Sequence, residues 1–139
     1  MSEETIAKYY DSNNKLMAIL IKNEHKSHGI DFLTSDDAFM QVAIMNHPKG
    51  HIIQPHYHNL VSRVIDYTCE ALIIKNGILD VFLYENMIMI HEFKIKKGDV
   101  LVLYSGGHGF KCCGEVSMIE IKQGPFVGKT DKTRFDGGI

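Results

Sequence analysis

The stretch "NGILDVFLYENMIMIHEFKIKKGD", residues 76–99, decides how the chain is to be read. Its apolar residues recur mostly at every second position, the period of a strand with one buried face, and not at the spacing of an amphipathic helix. Asn76-Gly77 is a turn dipeptide, "ENM" (85–87) breaks the apolar run, and "KKGD" (96–99) ends it. Residues 78–84 and 88–95 therefore read as a hairpin.

The same pattern continues outward. Upstream lie "KLMAILI" (15–21), "FMQVAIM" (39–45), the turn "HPKG" (47–50) leading into "HIIQPHYH" (51–58), and "EALII" (70–74). Downstream lie "VLVLY" (100–104), the glycine-rich "SGGHG" (105–109), "FKCC" (110–113) and "SMIEIKQ" (117–123). Short strands separated by turn signals roughly every ten residues spell an all-β sandwich or barrel of eight or nine strands. Two segments stand apart. "SEETIAKYYD" (2–11) reads as a short helix with Ser2 and Glu3 in its first turn, and the polar tail "GKTDKTRFDGGI" (128–139) as a surface strap or frayed end. No linker or repeat divides the chain, so residues 1–139 are expected to form a single domain.

Composition narrows the function. With 139 residues, 45% hydrophobic and 23% charged, the chain is an ordinary globular sequence. Such a chain buries roughly two-thirds of its unfolded surface. A formal net charge of −2 with interspersed signs lacks the footprint of a nucleic-acid or membrane-surface binder. No basic-flanked apolar leader opens the sequence and no apolar run is long enough to span a bilayer, so a cytoplasmic location is expected. Cys69, Cys112 and Cys113 form no even framework; they read as small buried hydrophobes in a reducing compartment.

Three places carry chemistry. His56 and His58, two apart in "QPHYHN" (54–59), would share a strand face and lean toward one ion. Glu70 shares its face with Leu72 and Ile74, and a carboxylate in an aliphatic row is costly unless paired or coordinated. His108, set among three glycines, sits where the backbone is free to bend and present it. The plainer alternative makes the three imidazoles rim groups bonded to water or backbone. His51 is expected to face outward or toward a lid, Tyr57 to point away from the ligand face, and His25, His28, His47 and His91 to be surface groups.

These residues resemble the two motifs of the cupins, small β-barrels that carry metal ligands. The first is matched by Gly50, His56-Tyr57-His58, Glu70 and Gly77, the second by Gly98-Asp99, Gly106 and His108, together spanning about residues 40–122. Eleven residues, "NLVSRVIDYTC", separate His58 from Glu70. A hairpin centred near Val64 would set Glu70 opposite His58; an irregular loop is the alternative. Tyr104 stands where the family has a proline.

The resemblance implies a double-stranded β-helix, or jelly-roll, barrel with a short N-terminal extension and a polar C-terminal tail. It implies a divalent metal (Zn, Fe, Ni or Mn) held by His56, His58, Glu70 and His108. It also implies a small polar substrate, a sugar or sugar derivative, and isomerase, epimerase or dioxygenase chemistry. The alternative is a non-catalytic small-molecule or sugar-binding module. Arg63, able to hold a carboxylate or phosphate, and Tyr104 are the candidate substrate contacts; for Arg63 a solvated surface role is the alternative, and Tyr67 is a further candidate acid. Exposed sheet edges make a homodimer the expected assembly.

Overall fold

A computed structural model describes residues 4–139. The chain divides into two compact units, one formed by the residues through His25 together with Tyr67–Ile139, the other by Lys26–Asp66. The described strands are β1 (Ile6–Tyr10), β2 (Leu16–Ile21), β3 (Gly29–Phe32), β4 (Ala43–Asn46), β5 (Glu70–Asn76), β6 (Ile78–Glu85), β7 (Ile88–Lys96), β8 (Val100–Leu103), β9 (Gly107–Cys112) and β10 (Ser117–Lys122). No helix among the described residues is long and apolar enough to cross a membrane.

The first unit holds two antiparallel sheets, ordered β1-β2-β8-β5-β10 and β7-β6-β9. Their apolar faces share one core, in which Leu72, Ile74, Leu101 and Leu103 of the larger sheet cluster with Leu79, Val81, Leu83 and Ile95 of the smaller. Alternation makes this possible, because Leu72 stands opposite Leu101 and Glu70 opposite Leu103, so these four side chains leave the sheet on the same side. The β6–β7 hairpin turns where the sequence breaks, with Glu85 paired to Ile88 and positive φ at Asn86 (50°) and Met87 (65°). That is the backbone of a two-residue type I′ turn, whose twist matches the flanking strands. Between β7 and β8, buried Asp99 accepts hydrogen bonds from the backbone N–H groups of Asn23 and Lys96, both at 2.9 Å, and so ties the β7–β8 turn to the chain after β2.

The second unit holds the β3–β4 hairpin, in register from Gly29↔Asn46 to Phe32↔Ala43. Asn46 caps it by donating from Nδ2 to the Ser27 carbonyl at 2.9 Å.

Several expectations need correction. The all-β class holds, but the three antiparallel sheets do not close into a barrel among the described residues. "HIIQPHYH" (51–58) is not a strand, and no hairpin forms near Val64: residues 51–68 join no ladder. Pro55 lacks a donor, and "SRVID" offers no residue suited to a tight turn. The strand expected at 39–45 is shorter and later, Ala43–Asn46. Where a helix is expected at 2–11, the chain forms strand β1 from Ile6 to Tyr10, while the first-turn positions Ser2 and Glu3 lie outside the described residues. A helix so short needs tertiary packing, whereas as a strand it pairs with β2 from Ile6↔Ile21 and packs Ala7 and Tyr9 against the core. Of the cysteines, Cys69 is buried as expected, while Cys112 and Cys113 are exposed.

The tail is a strap. After a single 3-10 turn at Gly128–Asp131, Phe135 meets the Tyr84 ring edge-on with centroids 5.1 Å apart, and Tyr84 Oη donates to the Gly137 carbonyl at 2.9 Å. The glycines of "SGGHG" make room for it. A Cβ on Gly107 would stand 3.0 Å from Phe135 Cζ, and one on Gly109 would stand 3.2 Å from Ile139 Cδ1. Those glycines thus serve close approach on one face of β9, while His108 between them projects from the other.

Candidate functional site

Glu70 opens β5 and faces the core side of the sheet with Leu72 and Ile74. Its partner comes from the other sheet. His108 on β9 pairs with Leu83 of β6, a core residue, and its Nε2 lies 2.7 Å from Glu70 Oε1. The carboxyl side chain is 11% exposed and the imidazole 33%, so the acid is sheltered while the base opens outward. Imidazole Nδ1 has no hydrogen-bond partner among the described residues.

A second acid joins the pair. On β10, Glu120 stands opposite Leu72 and Lys122 opposite Glu70, so both project from the same face of the sheet as Glu70. The hydrogen bond from His108 is the main reason Glu70 is held down to about 2, with contributions from Glu120 and from the Lys122 charge. Glu120 is pushed up, first by its hydrogen bond with Glu70 and then by desolvation. The two carboxyls therefore titrate apart: Glu70 gives up its proton first, and Glu120 keeps its own to higher pH. Tyr104 also belongs here; its burial, followed by the neighbouring Cys69, pushes the phenol up to about 12, so it remains a neutral hydrogen-bonding group.

These groups border a cavity of about 680 Å³, with Glu70, His108, Glu120, Lys122, Tyr104 and Arg134 among its lining. Thr68, also on its wall, donates to the Asp131 carboxylate and so fixes the 3-10 turn of the tail beside it.

Of the expected site residues, Glu70 and His108 come together and Tyr104 lines the same cavity. His56, His58 and Arg63 belong to the second unit and are exposed. There the His56 and His58 rings lie edge to face with centroids 5.4 Å apart, and His56 Nδ1 is 2.9 Å from the Gln54 carbonyl oxygen. Among the described residues no group of three or more His, Cys, Asp or Glu side chains is arranged to hold a metal ion. The donor set gathered at Glu70 and His108 does not by itself complete a metal centre.

Of the four histidines expected as surface groups, His25, His47 and His91 are only partly exposed. His51 is exposed but stacks on half-buried His47 at 4.0 Å. His25 Nδ1 lies 2.8 Å from Thr5 Oγ1, and His91 Nε2 lies 2.8 Å from the Tyr10 carbonyl oxygen. Only His28 of these four is simply exposed. Glu120, Lys122 and Arg134 escaped the sequence reading. The alternation of "SMIEIK" groups Glu120 with Lys122, but parity alone does not say which face looks inward.

The fold and site together define an all-β chain with a carboxylate-imidazole pair lining an inter-sheet cavity. Comparison with family models, with curated proteins and with solved structures gives no match, and the geometry carries the functional argument.

Proposed function

We propose that the chain is a small-molecule-binding β domain whose working groups are Glu70 and His108, and that its ligand is a neutral polar metabolite such as a sugar or sugar derivative. The observation that carries this reading is the sheltered Glu70 carboxylate hydrogen-bonded to an imidazole from the facing sheet, at the wall of a cavity large enough for a metabolite. Lining charges favour a neutral ligand, since Lys122, Lys132 and Arg134 are offset by Glu70, Glu120 and Asp131. Tyr104 and Phe110 add aromatic surface for the C–H face of a ring.

Glu70 stays ionised at neutral pH and orients His108 through Nε2, so Nδ1 is the atom that meets the ligand. From there it accepts a hydrogen bond from a hydroxyl or, in a catalytic version, removes its proton. Calorimetric titration with a panel of neutral monosaccharides tests the reading. Binding that His108→Ala weakens at least tenfold supports it, and a panel without heat, or binding indifferent to His108→Ala and Glu70→Gln, ends it.

A second reading is favoured by the meeting of two of the four residues that the cupin-like motifs imply as ligands. In it, His56, His58, Glu70 and His108 hold a divalent metal in a closed jelly-roll, and the chain is an isomerase, epimerase or dioxygenase. Titration with Zn²⁺, Ni²⁺ and Mn²⁺ separates the two. A single tight site lost in both His56→Ala and His108→Ala belongs to the metal reading, whereas metal binding unaffected by either variant removes it.

A further inference from the structure

The larger sheet ends in β10, whose outer edge pairs with no other strand among the described residues. All six residues of β10 are exposed, including Met118, Ile119 and Ile121. An exposed apolar edge is a template for pairing with another chain, and the sequence of β10 is complementary to itself.

The backbone phase sets which groups are available. Gln123 N–H donates to the Cys69 carbonyl of the chain entering β5, at 2.9 Å. Because successive residues of an antiparallel strand turn their polar groups to alternate sides, Ile121 also faces β5, while Glu120 and Lys122 turn theirs outward. The only irregularity in the β5–β10 ladder falls between Ser117 and Met118, away from this stretch.

A two-fold axis perpendicular to the sheet keeps matching faces together, so only registers that oppose residues of the same face are allowed. Centred on Glu120, two carboxylates would confront each other. Centred on Ile119, Glu120 would meet a methionine. Centred on Ile121, Glu120 stands opposite the partner's Lys122 twice over, both residues present outward hydrogen-bonding groups, and Ile121 meets its own copy on the opposite face.

We propose that two copies of this chain pair edge to edge through β10, centred on Ile121, so that Glu120 of each protomer meets the partner's Lys122 beside the Glu70–His108 site. The sheet then runs continuously across ten strands. Each cavity gains a cation from the neighbouring copy, next to the carboxyl that leans on Glu70. The pairing holds whatever the cavity binds. An interface of one short strand pair lies at the small end of specific contacts, which puts the dissociation constant on the order of micromolar.

Charge reversal tests the register. Glu120→Lys alone places like charges opposite each other at both pairs, and so does Lys122→Glu. Either variant should raise the dissociation constant at least about tenfold in analytical ultracentrifugation. An equimolar mixture of the two should form a heterodimer as tightly as the wild type, and the E120K/K122E double variant should regain self-association. A mixture that stays monomeric, or single variants that associate like the wild type, would overturn the proposal. Hydrogen exchange on the unmodified protein supplies an independent reading, with Glu120 and Lys122 amides becoming protected as concentration rises. Protection that is already complete at the highest dilution would mean that the edge is covered within one chain, and the dimer would be refuted.

Discussion

Glu70 takes up its proton only near pH 2, far below its ordinary value of 4.5, and this makes it a source of stability as well as a site. A carboxyl whose folded value is depressed contributes stability that is fully present above its unfolded value and is lost as pH falls through the folded one. Glu70 should therefore help the fold above about pH 4.5 and cease to do so on the way down to about 2. Glu120, whose value is raised, works in the opposite sense: its contribution is present in acid and is lost as pH rises through its folded value. Glu70→Ala should cost about 1–3 kcal/mol near neutral pH, because His108 loses a charge-assisted partner, and should flatten the acid limb of a urea-midpoint profile. Glu120→Gln should instead leave the neutral-pH midpoint equal or slightly raised, by at most about 0.5 kcal/mol. A Glu120→Gln variant that loses as much as Glu70→Ala would mean the two carboxyls had been assigned the wrong way round. Glu70 was legible in the sequence because Leu72 and Ile74 share its parity, and an acid in an aliphatic row must find a partner. What the sequence could not show was that the partner would be His108 directly rather than an ion between them, since that depends on how far apart two sheets stand.

At the scale of elements, turn residues and alternation specify most of the first unit's strands. The β5, β6, β7 and β10 segments fall within two residues of where the period-two pattern places them. The failures have a common physical cause: a strand requires a neighbour, and the alternation of one segment does not say whether a neighbour exists. Ile6–Tyr10 found β2 and became a strand, while residues 51–58 found no partner in any sheet and did not. The β6–β7 turn supports a sharp prediction. Met87 holds φ at 65°, a region in which a side chain with a Cβ is strained and glycine is not. Met87→Gly turns Asn86-Met87 into the preferred Asn-Gly pair and should stabilise the protein by roughly 0.5–1 kcal/mol, read as a higher urea midpoint with an unchanged slope; a lower midpoint contradicts the turn assignment. The strap gives a second. Tyr84→Phe removes the hydrogen bond to the Gly137 carbonyl and should cost about 1 kcal/mol, with faster amide exchange at Phe135–Ile139 and no change at β2 or β8. Unaltered exchange in the tail would mean that Phe135 packing alone holds it.

At the scale of the whole chain, the first unit is assembled from two stretches distant in sequence, and its own ladders explain how they stay together. Ala18–Ile21 of β2 pair with Val100–Leu103 of β8, which in turn pair with Glu70–Ile73 of β5. The N-terminal hairpin is thus locked into the sheet by a strand from the C-terminal half, and Met17, Ala18 and Leu20 lie in the shared core. Every residue from Pro48 to Thr68 is exposed, among them Ile52, Tyr57, Leu60 and Val64 at 80% or more. Exposed segments without ladder hydrogen bonds are where proteases cut. Brief chymotrypsin treatment should therefore cleave first at Tyr57 or Leu60. The nicked protein should remain one particle under native conditions and separate into two fragments only in denaturant, because the β2–β8 ladder and the core bridge the cut. Its Glu70–His108 pair, contained within the first unit, should keep the acid limb of the stability profile seen for intact protein. Dissociation of the fragments without denaturant would show that the two stretches depend on residues 48–68 to stay joined, and that the first unit is not self-supporting.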